Sequence, residues 1–290
     1  MRNHGSILVG VDGSAGSIAA LGWAARAAAV HRAPLRLVHM VDPTADYGPG
    51  ATEPLTSTDY TRLEDHGRWI LDTCAHDAKQ IVDTVDLTPI EIGTELVFGA
   101  SGPALVDRSA QCRALVVGSR ERGSMRRALL GSVSAMLARR ALCPVVVVRD
   151  GVRGSATKDP IVVGVDGTQI SEPAIEAALI EASARGVALL AMHASSESDL
   201  TEPQGDRAIG TMVLAESLAG WQERFPEVEI RREIVYDRPV HRLLECSEHA
   251  QLLVVGSRGR GGFASMLFGS TSQAVLLSAQ CPIMVLRDTG

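Results

Sequence analysis

The chain is written twice, and that repetition limits its fold more than any other feature. Ile7-Leu-Val-Gly-Val-Asp-Gly-Ser14 returns as Ile161-Val-Val-Gly-Val-Asp-Gly-Thr168, 154 residues on. Leu115-Val-Val-Gly-Ser-Arg120 returns as Leu253-Val-Val-Gly-Ser-Arg258, and Cys143-Pro-Val-Val-Val-Val-Arg-Asp150 as Cys281-Pro-Ile-Met-Val-Leu-Arg-Asp288, both at a spacing of 138. The difference between 154 and 138 places 16 extra residues in the first copy, between the two anchors. Asp42 to Thr61, rich in Pro, Gly, Thr and Asp, reads as the long loop that holds them. At 290 residues the chain is about twice the usual ~150-residue domain. Residues 1–150 read as one domain, 151–159 as a small polar linker and 160–290 as a second domain.

Each copy alternates apolar runs with helical stretches. In the first, Ile7–Asp12, Leu35–Val41, Ile90–Phe98, Ala114–Gly118 and Pro144–Val148 read as strands. Between them lie helices: one capped by Ser14 or Ser17 and running to about Ala33, Asp59–Val85, a short one from Pro103, and Ser132–Ala141. The second copy gives strands at Ile161–Asp166, Ala188–His193, Glu229–Val235, Gln251–Gly256 and Pro282–Leu286. Its helices fall at Ser171–Arg185, Asp206–Arg224, Pro239–His249 and Thr271–Ala279. Unbroken apolar strands belong to parallel sheets covered on both faces. Right-handed crossovers then predict an α/β fold: two tandem, doubly wound, Rossmann-like domains, each with five parallel strands. Ligands are expected beyond the carboxyl ends of strands 1 and 4, where the strand order reverses.

Composition removes several function classes. Hydrophobic residues make up 46% and charged residues 21%, ordinary for a globular chain. Aromatics are only 3%, too few for a base-stacking platform. The formal net charge of −6 argues against a general electrostatic grip on nucleic acid or anionic membrane. No stretch approaches the ~18 apolar residues of a spanning helix, and the first residues lack a signal-peptide core. The five cysteines are odd in number, scattered and without a C-x-x-C pair, which suits reduced thiols in a cytoplasmic protein. His39 and His193 recur at one strand end with no Cys or His at ligand spacing, so hydrogen-bonded strand termini are expected and metal ligands are not.

The chemistry concentrates in the glycines that follow strand 4. In the second copy these are Gly256-Ser-Arg-Gly259-Arg-Gly-Gly-Phe-Ala-Ser-Met-Leu-Phe-Gly269-Ser270-Thr271. Glycines let main-chain amides approach an anion, and Gly269-Ser270-Thr271 opens a helix whose first N–H groups lack partners. The only lysines are Lys79 and Lys158, neither after a glycine, so the G-x-x-x-x-G-K-[ST] loop of the usual NTPases is excluded. A G-x-G-x-x-A match at Gly259–Ala264 falls inside the loop and opens no helix, so it is not read as a dinucleotide fingerprint. Arg258 and Arg260 are loop residues first and phosphate contacts second.

Gly256-x2-Gly259-x9-Gly269-Ser270 resembles the ATP-binding signature of universal stress proteins, and strand 1 ending in Val-Asp-Gly-Ser/Thr resembles that family's opening. The resemblance covers essentially the whole chain. It implies ATP as ligand, with Val165, Asp166, Gly167, Ala194, Val255, Gly256, Gly259, Gly269, Ser270 and Thr271 around it in the second domain. In the first domain it implies Val11, Asp12, Gly13, Met40, Val117, Gly118, Gly131, Ser132 and Val133. There the second signature glycine is replaced by Glu121, whose carboxylate would repel phosphate. Arg120, Arg122, Arg126 and Arg127 either offset that charge or solvate the loop, and the second site is therefore expected to be the stronger. Asp12 and Asp166 either assist a magnesium ion through phosphates or accept hydrogen bonds from ribose or the adenine amine. The resemblance also implies pairing of the domains through their last strands, Pro144–Val148 and Pro282–Leu286, and a homodimer through edge strands. It points to a nucleotide-dependent regulator acting on an unknown protein partner. A slow Mg-dependent ATPase and a scaffold that has lost nucleotide are the alternatives.

Overall fold

In this computed structural model, residues 5–43, 56–85, 88–119, 131–149, 157–194, 203–235, 239–258 and 268–287 are described, 203–208 by backbone alone. The chain divides into two compact units. The first comprises β1 (Ser6–Gly10), α1 (Ala15–His31), β2 (Leu35–Val41), α2 (Ser57–Thr84), β3 (Ile92–Phe98), α3 (Ser101–Ser109), β4 (Cys112–Gly118), α4 (Ser132–Arg140) and β5 (Val145–Val148). The second comprises β6 (Ile161–Val165), a 3₁₀ turn (Gln169–Ser171), α5 (Glu172–Arg185), β7 (Leu189–Ala194), α6 (Pro203–Ser217), α7 (Trp221–Arg224), β8 (Ile230–Val235), α8 (Pro239–Ser247), β9 (Leu252–Gly256), α9 (Ser270–Ser278) and β10 (Ile283–Leu286).

Strand order is β3-β2-β1-β4-β5 in the first unit and β8-β7-β6-β9-β10 in the second, with parallel pairing throughout each. Ile7 lies opposite both Leu35 and Ala114, and Ile161 opposite both Leu189 and Leu252. The apolar runs are the central strands, and all four residues of β5 and of β10 are buried. Order reverses between β1 and β4, and again between β6 and β9, which opens a crevice at their carboxyl ends. Helix α1 buries 11 of its 17 residues, mostly alanines, so its backbone can approach the sheet closely.

Two segments depart from the sequence reading. The helix expected over Asp206–Arg224 is two: α6 stops at Ser217, and the chain turns through Gly220 at φ +75 before α7 starts. That conformation is open to glycine at little cost, and it delivers Trp221 to a buried position with Arg224 4.3 Å over its ring. The loop expected over Asp42–Thr61 is partly helix. Thr56 caps α2 through a reciprocal pair with Asp59, so some of the extra residues of the first copy extend α2 to 28 residues, against 15 in α6 and 4 in α7. Residues 44–55 of that stretch lie outside the described residues.

The cysteines are free thiols, four of them buried. Burial pushes Cys74 and Cys112 up to about 11 and Cys143 and Cys281 up to about 12, so they behave as small core groups. Of the linker, residues 157–159 are described: Gln251 Nε2 donates to the carbonyls of Thr157 and Asp159, both at 3.0 Å. Among the described residues no helix is long and apolar enough to cross a membrane, and no cluster of three or more metal-ligating side chains occurs.

Candidate functional site

The first strand of each unit ends in a valine, a carboxylate and a glycine. Val11 and Val165 are buried, and the chain turns out through Gly13 at φ +76 and Gly167 at φ +78, a conformation that disfavours a side chain. The turn is anchored from the neighbouring strand. His39 Nδ1 lies 2.8 Å from the Val11 carbonyl, and His193 Nδ1 is 2.8 Å from that of Val165. A carbonyl only accepts, so Nδ1 carries the proton in each ring. These buried histidines are strand-terminus ties, as their position in the sequence suggests.

The carboxylates differ in their partners. Asp12 Oδ1 accepts from the Ser14 amide at 3.0 Å and from the Ser14 hydroxyl. Asp166 Oδ1 accepts from the Thr168 amide at 2.8 Å, the Thr168 hydroxyl at 2.7 Å and the Ser171 hydroxyl at 2.6 Å. Asp166 Oδ2 is shielded from solvent with no hydrogen-bond partner among the described residues. A buried acceptor left in that state costs about 1–3 kcal/mol, which a donor on a ligand would offset.

In the first unit the start of the last helix shares a cavity with the acid turn. Gly131 and Gly269 are the N-caps of α4 and α9, and neither helix start receives a side-chain cap. Among the described residues no side chain caps their first-turn amides, which lie at the positive end of the helix dipole. A hydroxyl staples each helix start onto the preceding strand: Ser134 Oγ donates to the Gly118 carbonyl at 3.1 Å, and Ser272 Oγ to that of Gly256 at 2.6 Å. The Gly269 amide adds a bond to the Ser257 carbonyl at 2.8 Å.

In the first unit these elements bound a cavity of about 130 Å³. Of the residues expected there, Val11, Asp12, Met40, Val117, Gly118, Gly131, Ser132 and Val133 line it, and Gly13 does not. Six serines line it as well: Ser14, Ser17, Ser101, Ser119, Ser132 and Ser134. Asp12 is the only charged side chain in its lining among the described residues. Sequence reasoning missed Ser101 and Leu105, which α3 brings in from outside both motifs, and Ser119 and Ser134, each next to a motif residue. In the second unit Val165, Asp166, Gly167, Ala194, Val255 and Gly256 come together at the carboxyl ends of β6, β7 and β9, with Gly269, Ser270 and Thr271 at the start of α9. Gly259 and Glu121, with Arg120, Arg122, Arg126, Arg127 and Arg260, lie outside the described residues.

The architecture has solved counterparts. A crystal structure of a universal stress protein from Archaeoglobus fulgidus matches with a TM-score of 0.70 at 21% identity, covering 99% of both chains, which shows a shared fold. Another universal stress protein, solved in complex with cAMP, matches 51% of this chain and 98% of its own at 27% identity and a TM-score of 0.39. In sequence, a universal stress protein of Mycobacterium tuberculosis is 42% identical over 295 residues, 99% of this chain and 98% of its own length. One from Mycolicibacterium smegmatis is 40% identical over 288 residues, covering 97% and 96%. The universal stress protein family model matches twice, at residues 4–149 and 158–287. The chain is a tandem-domain member of the universal stress protein family.

Proposed function

We propose that this protein is a nucleotide-dependent regulator whose units each hold an adenine nucleotide, ATP, at the carboxyl ends of their first and fourth strands. The observation that carries this reading is the first unit's cavity, where the acid turn and the uncapped start of a nine-residue helix share one wall, with the same turn and helix start recurring in the second unit. The helix start suits an anion, because its amides donate without needing a lysine. The acid turn suits the other end of a nucleotide, and the orphaned Asp166 Oδ2 favours the role of acceptor for ribose or the adenine amine. Gly118 lines the cavity with its main chain, while the side chain it lacks makes room for Gly16 of α1. Bound ATP would act as a signal, its occupancy altering the surface that a partner reads.

Isothermal titration with ATP tests the reading. The intact chain should take up two nucleotides, and Asp166→Ala should weaken binding at one site by about tenfold or more, the worth of a hydrogen bond to a charged group. Gly256→Glu should remove that site by charge. A chain that takes up no ATP at millimolar concentration, or whose uptake ignores both substitutions, overturns the proposal.

A further inference from the structure

Along the second strand of each unit, two side chains of unequal size have changed places. Val38 and Met40 lie two residues apart on β2 and both line the first cavity, so they share one face of the strand. His39 between them points to the other face, where a Cβ on Gly67 of α2 would meet its ring at 2.8 Å. With Leu105 and Val117, Val38 and Met40 form the apolar end of the cavity, while Ser132 and Ser134 at the start of α4 form a polar one. In the second unit Met192 lies opposite Gly164 as Val38 lies opposite Gly10, and Ala194 holds the place of Met40. Val38 and Met192 are both fully buried, whereas Met40 and Ala194 are half-buried at the strand end. The wall around them is otherwise the same. A Cβ on Gly10 would meet Val117 at 3.5 Å and Leu105 at 3.7 Å, and one on Gly164 would meet Val255 at 3.6 Å and Leu243 at 3.7 Å.

The exchange sets depth and cover at that end. In the first unit a small valine leaves the floor low and a methionine stands at the rim. In the second a methionine fills the floor and an alanine leaves the rim bare, so the same end is shallower and open. A flat base belongs at the apolar end of such a site and its phosphates at the helix start. We propose that Val38 with Met40, and Met192 with Ala194, are specificity-determining pairs that make the two sites of this chain select different ligands. The first site encloses an unsubstituted adenine. The second admits an adenine nucleotide carrying a further group on its base, which runs out over Ala194. The inference rests on the nucleotide reading and adds to it a division of labour between the sites.

The experiment reads each site alone in the full chain. Gly256→Glu leaves the first site, and Gly131→Glu, which sets a carboxylate at the start of α4, leaves the second. Titrations compare ATP with two analogues that carry a benzyl group on the base, one at N6 and one at C2, and calorimetry without ligand checks that each chain is folded. The analogue better accepted by the second site should bind there within about threefold of ATP, and at the first site about tenfold or more weakly than ATP. Met40→Ala should remove most of that discrimination from the first site, and Ala194→Met should create it in the second. Both positions lie at the rim, so unfolding midpoints should move little; if one variant fails to fold, the reciprocal exchange carries the test. Equal ratios of analogue to ATP affinity at the two sites overturn the inference, as does rejection of both analogues by the second site, or a discrimination that neither exchange moves. In those cases ATP is still bound and the nucleotide reading stands. If the unsubstituted chain takes no ATP, that reading itself has failed.

Discussion

The two units share strands, turns and caps, yet they differ where the first helix meets the fourth strand. In the first unit Gly16 and Gly118 touch through bare backbone: a Cβ on Gly118 would lie 2.4 Å from the Gly16 carbonyl carbon and oxygen. In the second unit the position of Gly16 is held by Ile170, 154 residues on, and the contact opens. A Cβ on Gly256 would meet the Arg258 carbonyl at 3.3 Å and that of Ile170 only at 3.9 Å. A side chain at 170 cannot lie flat against the strand end, so the segment stands off as a 3₁₀ turn and α5 begins at Glu172, with a proline in its first turn. Helix α1 begins three residues earlier in register, at Ala15.

That one difference redirects a hydroxyl. Ser17 and Ser171 occupy the same place, and each accepts from the amide of the acid, at 3.3 and 3.1 Å. Ser17 donates to the Ser14 carbonyl within the helix, whereas Ser171 donates to the Asp166 carboxylate. The two acids thus present different hydrogen-bonding environments to a ligand, although the motifs around them are nearly identical in sequence.

The sharpest way to break this comparison is to add one methyl group at each strand end. Gly118→Ala forces a Cβ into backbone atoms that cannot rotate away, and should cost about 3 kcal/mol, at the upper end of overpacking. Gly256→Ala has only one tight neighbour and should cost about 1 kcal/mol or less. Urea unfolding of the two variants against the intact chain measures both. Equal losses would mean that the close contact in the first unit is not a constraint. Because Gly256 tolerates bulk better, substitutions there report on the ligand more than on the fold.

The strands and the acid turns were legible because they depend on local pattern. Parallel, buried strands must be apolar throughout, and the Asp-Gly pairs at positive φ are written into adjacent residues. The Gly16–Gly118 contact was not legible, since it joins residues about a hundred positions apart and is visible only as a distance. Ser101 escaped for the same reason: a cavity wall is assembled from several elements, while a motif lies on one. The break at Gly220 carried a signal, a glycine before a tryptophan inside a helical pattern, which the apolar spacing on either side masked. The start of α2 carried one too, in the Thr56-x-x-Asp59 spacing of a capping box.

A smaller test concerns the cap of the first helix in each unit. Both helices end in a left-handed residue, Arg32 at φ 49 in the first and Gly186 at φ 65 in the second. Arginine bears the steric cost of that conformation, and glycine does not. Arg32→Gly should therefore stabilise the chain by up to about 1 kcal/mol, and Gly186→Ala should destabilise it by about the same amount. Opposite signs in thermal unfolding would support the equivalence of the two caps; like signs would break it.

The smallest expected effect lies on the outer strands. Glu95 in β3 and Glu233 in β8 hold the same position, 138 residues apart, but pair with arginines from different turns of the following helix. Arg108 reaches Glu95 at 2.6 Å from the end of α3, and Arg242 reaches Glu233 at 2.7 Å from nearer the start of α8. The ion pair has been kept while its cation moved, which argues that the strand carboxylate is the fixed member. Both pairs are partly exposed, so each is worth at most about 0.5 kcal/mol. The Arg108 guanidinium, by hydrogen bond and charge, holds the Glu95 carboxyl below the ordinary carboxylate range. A lowered pKa in the folded state means the stabilisation is present above that range and disappears as pH falls through it. Arg108→Ala should therefore unfold slightly more easily than the intact chain at neutral pH, and the gap should close in acid. A gap that persists when Glu95 is protonated would show that Arg108 acts through packing of its aliphatic stem instead.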